Sequence, residues 1–314
     1  MISTECLERG LVRAGAGQVP RLDGGLGFMS ALTETLPTAA PTQHQSRWSL
    51  WLRQLAAIMR LEVKKNFFAK RSLLIYPLAA MPVGLLLMAA VLDRGGHEIT
   101  EYQAAFSVIY NLLILRMVVF FGCAWIFMNL FRGDIVDRSL HYYFLSSVRR
   151  EVLVVSKYVS GLVTAILLFT TVTVVSMLLV FFPHNYAASV HFFLDGPGLV
   201  HLLTYAGVTI LACIGYGAFF LVVGLFFRNP IIPALVLYGW EWINFLLPPL
   251  LKKISVIHYL NSLVPVPLSG GPFAVVGEPT PAWISVPGLL ILTVLVLIAA
   301  GTRIRHMEIR YGSD

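Results

Sequence analysis

Two ionisable residues lie where an apolar chain has least room for them. Arg116 falls inside the run Ala104–Phe131, and Glu241 inside Ile231–Leu251. A charge in hydrocarbon is costly and is generally paired or functional. Two arrangements are open. Arg116 and Glu241 form an ion pair that braces two spans, or Arg116 faces a water-filled pathway while Glu241 bonds to Asn111, Tyr238 or Asn244. Charges that line a pathway would argue for a polar or amphipathic cargo.

Other chemistries lack their residues. A phosphate-cradling Gly-x-x-x-x-Gly-Lys-Ser/Thr loop does not occur, and Gly95-Gly96 and Gly270-Gly271 are isolated pairs. There is no His-Glu-x-x-His and no Cys-x-x-Cys; Cys6, Cys123 and Cys213 are too dispersed for a metal or redox centre. The eight histidines are scattered, and Ser269-Gly-Gly is too bare for a nucleophile site. The chain itself is expected to catalyse nothing and to hold no metal or cofactor.

The surroundings of these residues point to lipid. Of 314 residues, 57% are hydrophobic and 12% charged; soluble domains carry about 25% charged residues. Mean hydropathy is +0.78. Six continuous apolar runs are each long enough to cross a bilayer as helix: Leu73–Leu92, Ala104–Phe131, Tyr158–Phe182, Leu199–Phe227, Ile231–Leu251 and Ile284–Thr302. The net charge of +7 would suggest nucleic acid in a soluble protein. Here the basic residues flank apolar runs, so they set orientation and no nucleic-acid partner is expected. With the N-terminus inside, sixteen Lys and Arg from Arg47 onward fall on inner segments and three (Arg94, Lys252, Lys253) on outer loops. Both termini are therefore expected in the cytoplasm, with a bacterial inner membrane as the home. Residues 1–45 lack a continuous apolar stretch and read as a disordered cytoplasmic arm, with Met29 as an alternative start. Residues 46–310 form the membrane domain, and 311–314 a short tail.

Three segments do more than span. In 47–68, Trp48, Trp51, Leu55 and Met59 recur at three- and four-residue steps opposite Arg53, Arg60 and Lys64, which predicts an amphipathic helix lying on the membrane surface. The loop Arg132–Lys157 mixes both charge signs with aromatics. Asp134 and Asp137 stand near the start of an expected short surface helix, where the helix dipole favours acid. Leu140, Tyr142, Tyr143, Phe144 and Leu145 form an apolar knob that needs a partner, and Arg149-Arg150-Glu151 begins the next helix. The third segment, Ile254–Trp283, starts as an amphipathic stretch to Leu263 and continues rich in proline and glycine.

Together these parts resemble the permease subunit of the ABC transporter type-2 family, the type V exporter fold. The resemblance covers about Arg47 to Arg310 and includes the tight Phe226–Pro230 turn between spans four and five. Its most specific stretch is Gly133–Lys157: acids after span two, a Leu-rich stretch, Ser146-Ser147, Arg149-Arg150-Glu151, then Lys157. The family's usual Glu-Xaa-Gly-Thr-Leu-Glu run stands here as Asp137-Arg-Ser-Leu-His, and the proline often found after the serines is absent.

The resemblance implies an all-α polytopic membrane protein with six transmembrane helices, an N-terminal interfacial helix and a cytoplasmic coupling helix between spans two and three. It implies a separate ATPase subunit, holding ATP and magnesium, docked on that coupling helix. It also implies a second permease copy, as a homodimer, and contact with membrane lipid. The competing expectation is an ATP-independent secondary transporter using Arg116 and Glu241, although no inverted repeat is visible between the two halves.

Overall fold

A backbone immersed in lipid must satisfy its own N–H and C=O groups, so long unalternating apolar runs fold as helices. The computed structural model describes residues 53, 56, 59, 60, 62–67, 73–92, 98–136, 150–181, 186–227, 229–243, 248, 251, 254–266 and 281–305. All of them lie within the unit Arg47–Asp314, and none is in a strand. The helices are α1 (Ile75–Leu92), α2 (Ile99–Ile109), α3 (Phe120–Val136), α4 (Arg150–Phe181), α5 (Tyr186–Leu194), α6 (Gly198–Phe226), α7 (Ile231–Ile243), α8 (Val256–Asn261) and α9 (Ala282–Arg305). Between α2 and α3 the chain stays helical but widens into a π-helix, Tyr110–Val119.

Five of these segments are long and apolar enough to cross a membrane: Ile75–Leu92, Ile99–Phe131, Val152–Phe181, Gly198–Phe226 and Ala282–Thr302. This is a multi-pass membrane protein. For the run Ile231–Leu251, expected as a sixth span, the described helix is shorter. Its helix α7 has 13 residues, about 20 Å of rise against a hydrocarbon thickness of about 30 Å. Hydropathy counts apolar residues and does not register that Glu241 lies near the end of this helix. The second and third spans err the other way. Their helices begin at Ile99 and Arg150, well before Ala104 and Tyr158, because hydrogen bonding continues where hydropathy falls.

Burial identifies α6 as the centre. About two thirds of its span is buried, against 22% for α1 and for α9. It runs parallel to α2 and α3: contacts step in register from Tyr110–Tyr205 through Phe120–Tyr216 to Met128–Gly224. Against α4, the α2–α3 segment runs antiparallel, with Tyr102 meeting Phe181 and Phe127 meeting Tyr158. Successive crossings of one bilayer require this alternation. Polar side chains inside the bundle bond locally or across helices. Tyr110 Oη lies 3.0 Å from Thr209 Oγ1, which lies 3.1 Å from Thr173 Oγ1, linking the π-helix, α6 and α4.

Glycine sets the closest crossing. A Cβ on Gly224 would lie 2.8 Å from Met128 Cα and 2.9 Å from its carbonyl oxygen, and backbone has no rotamer by which to retreat. Gly224→Ala should therefore destabilise the α3–α6 contact by about 1–3 kcal/mol. Gly207, in the same helix, has open space at its Cβ position, and Gly207→Ala should be neutral or gain up to about 1 kcal/mol in helix propensity. Unfolding temperatures of the two variants in one detergent check the contrast.

Candidate functional site

The first polar cluster gathers where α7 ends. Arg116 sits midway along the 33-residue segment Ile99–Phe131, on the π-helical stretch. Long π-helical stretches are rare, and π-bulges occur often at functional sites. The Arg116 guanidinium lies over the Trp242 ring, 5.2 Å from its centroid. Behind Trp242 stand Tyr238, Phe120 and Phe121, with centroids 4.8–6.1 Å apart, which lock α7 onto the π–α3 segment.

Glu241 faces the other way. It is buried, and both carboxylate oxygens accept hydrogen bonds from the start of α8. Ser255 Oγ donates to Oε2 at 2.7 Å, the Ile257 N–H to Oε2 at 3.1 Å and the Val256 N–H to Oε1 at 3.1 Å. A carboxylate supplied from α7 thus satisfies the orphan N–H groups that every helix start exposes. Val256 packs on Gly215 midway along α6, Gly288 of α9 packs on Tyr259, and Ser262 Oγ meets Ser285 Oγ at 2.8 Å. Beyond α8, the carbonyl of Val266 accepts a bond from Ser107 near the start of the second span. The short helix α8 therefore begins at the level of Arg116 and climbs back toward the end of the bundle where α2 starts. Its non-helical flank is embedded in protein, as backbone at membrane depth must be.

The ion pair between Arg116 and Glu241 is not formed: no N–O approach within 4.0 Å joins them, and Glu241 is held by α8 instead. Nor does Glu241 bond to Tyr238 or Asn111, which donates to its own helix at Ser107 O; Asn244 lies outside the described residues. The charges still act on one another through space, with the Tyr216 side chain in the field of both.

The second cluster stands at the opposite end of the second and third spans. Lys157 of α4 is fully buried. Its Nζ lies 2.7 Å from Glu62 Oε1, donates to the Leu130 carbonyl of α3 at 2.8 Å, and sits 5.4 Å from the Phe131 ring centroid. Glu62 belongs to a helical segment, 62–67, whose neighbours Arg53, Ala56, Arg60 and Lys64 are exposed while Met59 is half-buried. Tyr76 of α1 donates to the carbonyl of Phe67 at 2.8 Å. One buried ion pair thus joins the N-terminal helix to both helices that flank the segment 137–149.

Of the residues expected on the docking loop, Asp134 lies in the last turn of α3 and not at the start of a separate helix, because α3 continues to Val136. Arg150 and Glu151 open α4. Asp137, Leu140, Tyr142, Tyr143, Phe144, Leu145 and Arg149 fall outside the described residues, as do Trp48, Trp51 and Leu55 of the interfacial helix. Glu62, Lys157 and Ser255 are the site residues that sequence reasoning missed. Glu62 had a visible signal: it continues the helical stripe of Leu55 and Met59, where a lone acid needs a buried partner. Among the described residues no group of three or more His, Cys, Asp or Glu could hold a metal.

No protein-family profile, curated protein or solved structure matches this chain. Its function is therefore argued from the two clusters themselves.

Proposed function

We propose that this chain is the membrane-spanning permease subunit of an ATP-driven exporter of the ABC type-2 kind. In this reading the second and third spans end in the cytoplasm, and the segment between them docks on a separate ATPase subunit that holds ATP and magnesium. Both termini are cytoplasmic, the membrane is a bacterial inner membrane, and two copies form a homodimer around the pathway.

The Lys157–Glu62 ion pair carries this reading. A docking loop transmits work only if its two ends are rigidly joined to the rest of the bundle. Here the Lys157 ammonium holds the end of α3, the start of α4 and the N-terminal helix together with no exposure to solvent. A secondary transporter has less support. A proton-relay carboxylate must exchange partners, and Glu241 is bound by three donors that build α8.

The test is affinity purification of the tagged chain from its native membranes in mild detergent, with partners identified by mass spectrometry and ATP hydrolysis assayed in the eluate. A stoichiometric ATPase is the expected result. Its absence, under conditions that preserve a control complex, would overturn the proposal. Deleting Tyr142–Leu145 should abolish cargo-stimulated ATP hydrolysis while leaving the unfolding temperature of the membrane domain unchanged.

A further inference from the structure

Among the described residues, Arg116 is a charge inside a span-length segment with hydrogen-bonding capacity left unused. A guanidinium carries five N–H donors. Among the described residues no hydrogen bond from Arg116 is present, and its Nε is buried without a partner. The nearest acid, Glu241, has its oxygens bonded to Ser255, Val256 and Ile257. The Trp242 face attracts the cation but accepts none of its in-plane hydrogen bonds. A guanidinium held over a ring keeps its donors at its edge, in the fork that matches a carboxylate or phosphate. Deep in a bilayer such a fork is costly until an anion fills it.

The surroundings describe the rest of the ligand. At four-residue steps before Arg116 stand Leu112 and Val108, both exposed, and on α7 Trp242 and Ile243 are exposed. An anion on Arg116 would lay an attached apolar body along these side chains. A free inorganic anion would leave them bare.

We infer that Arg116, laid over Trp242, is the headgroup contact of a site for an anionic amphiphile: a molecule with a phosphate or carboxylate head and a hydrocarbon body. That this amphiphile is the cargo rests on the exporter reading; that it binds does not. The Trp242 ring holds the guanidinium, and the charge selects the head.

The full chain, purified in dodecyl maltoside, is titrated with dioleoyl phosphatidic acid, oleate, neutral dioleoylglycerol and inorganic phosphate, and binding is read by native mass spectrometry. Phosphatidic acid and oleate are expected to bind. Arg116→Gln should weaken both about ten-fold or more, the scale of a charge-assisted hydrogen-bond pair. Arg116→Lys, which keeps the charge and loses the fork, should fall between. Both variants are checked for unchanged unfolding temperature, and Arg116→Lys serves alone if the glutamine variant does not fold.

Four results would overturn the site: binding to Arg116→Gln within two-fold of wild type, equal affinity for dioleoylglycerol, equal affinity for inorganic phosphate, or dissociation of a dimer on substituting Arg116, which would make an acid of the second copy the partner. The exporter reading fails separately. Arg116-dependent lipid binding by a chain that purifies without any ATPase would keep the site and remove the transport role.

Discussion

Replacing Lys157 by methionine should destabilise the membrane domain by about 3–5 kcal/mol, the cost of leaving one member of a buried ion pair uncompensated. The methionine side chain roughly fills the space of the lysine stem. The loss therefore comes from the Glu62 carboxylate, which is buried and left without its cation. Glu62→Gln should cost less, because the amide still accepts a bond from the ammonium. Removing both charges at once, as Glu62→Leu with Lys157→Met, should recover most of the loss, since buried pairs exchanged for apolar residues are often neutral or stabilising. The measurement is unfolding temperature in a fixed detergent for the two single variants and the double. Additive losses would mean that the two charges do not stabilise one another.

The double variant also separates stability from transmission. In the proposed exporter it retains a folded bundle and a bound ATPase, but the tie between the N-terminal helix and the two ends of the docking segment becomes apolar contact alone. Cargo-stimulated ATP hydrolysis should then fall although the complex still assembles. A hydrolysis rate equal to that of wild type would mean that the ion pair serves folding only.

The membrane class and the approximate places of five spans were legible in the sequence because hydropathy over twenty residues is an additive property. What was not legible depends on how a chain closes on itself. Ile231–Leu251 has the composition of a span, yet its helix α7 stops at Ile243 among the described residues, where Glu241 bonds a helix start fourteen residues away. No local pattern announces that pairing, since Ser255 reads as an ordinary residue of a loop. The π-helix at Tyr110–Val119 is equally silent, because the same residues suit either helical form. Lys157 was counted among the basic residues that set orientation, but its ammonium is buried against Glu62. Arg116 lies inside a segment long enough to span, as expected, whereas Glu241 lies on the shorter helix α7. Their relation was not readable, because spacing along two separate helices does not fix which faces meet.

Glu241→Ala should produce the other large loss. It leaves the Ser255 hydroxyl and the Val256 and Ile257 N–H groups buried without acceptors, at about 1–3 kcal/mol for each unsatisfied group. Glu241→Gln should be milder. If its one carbonyl takes the place of Oε2, it still accepts from Ser255 and Ile257, and only the Val256 N–H is left opposing an amide donor. The effect should be local before it is global. Amide hydrogen exchange over residues 255–262 should accelerate about a hundred-fold or more in Glu241→Ala, since about 2.7 kcal/mol of lost local stability corresponds to that factor, while α4 and α6 exchange as in wild type. Unchanged exchange in 255–262 would show that α8 is held by the burial of Val256, Ile257 and Leu260 and not by its cap. The outcome also bears on Arg116. If Glu241 is bound to α8 as firmly as three donors imply, its removal should alter anion binding at Arg116 by far less than Arg116→Gln does. A carboxylate released from α8 and free to swing would instead compete for the guanidinium, and Glu241→Ala would then tighten anion binding.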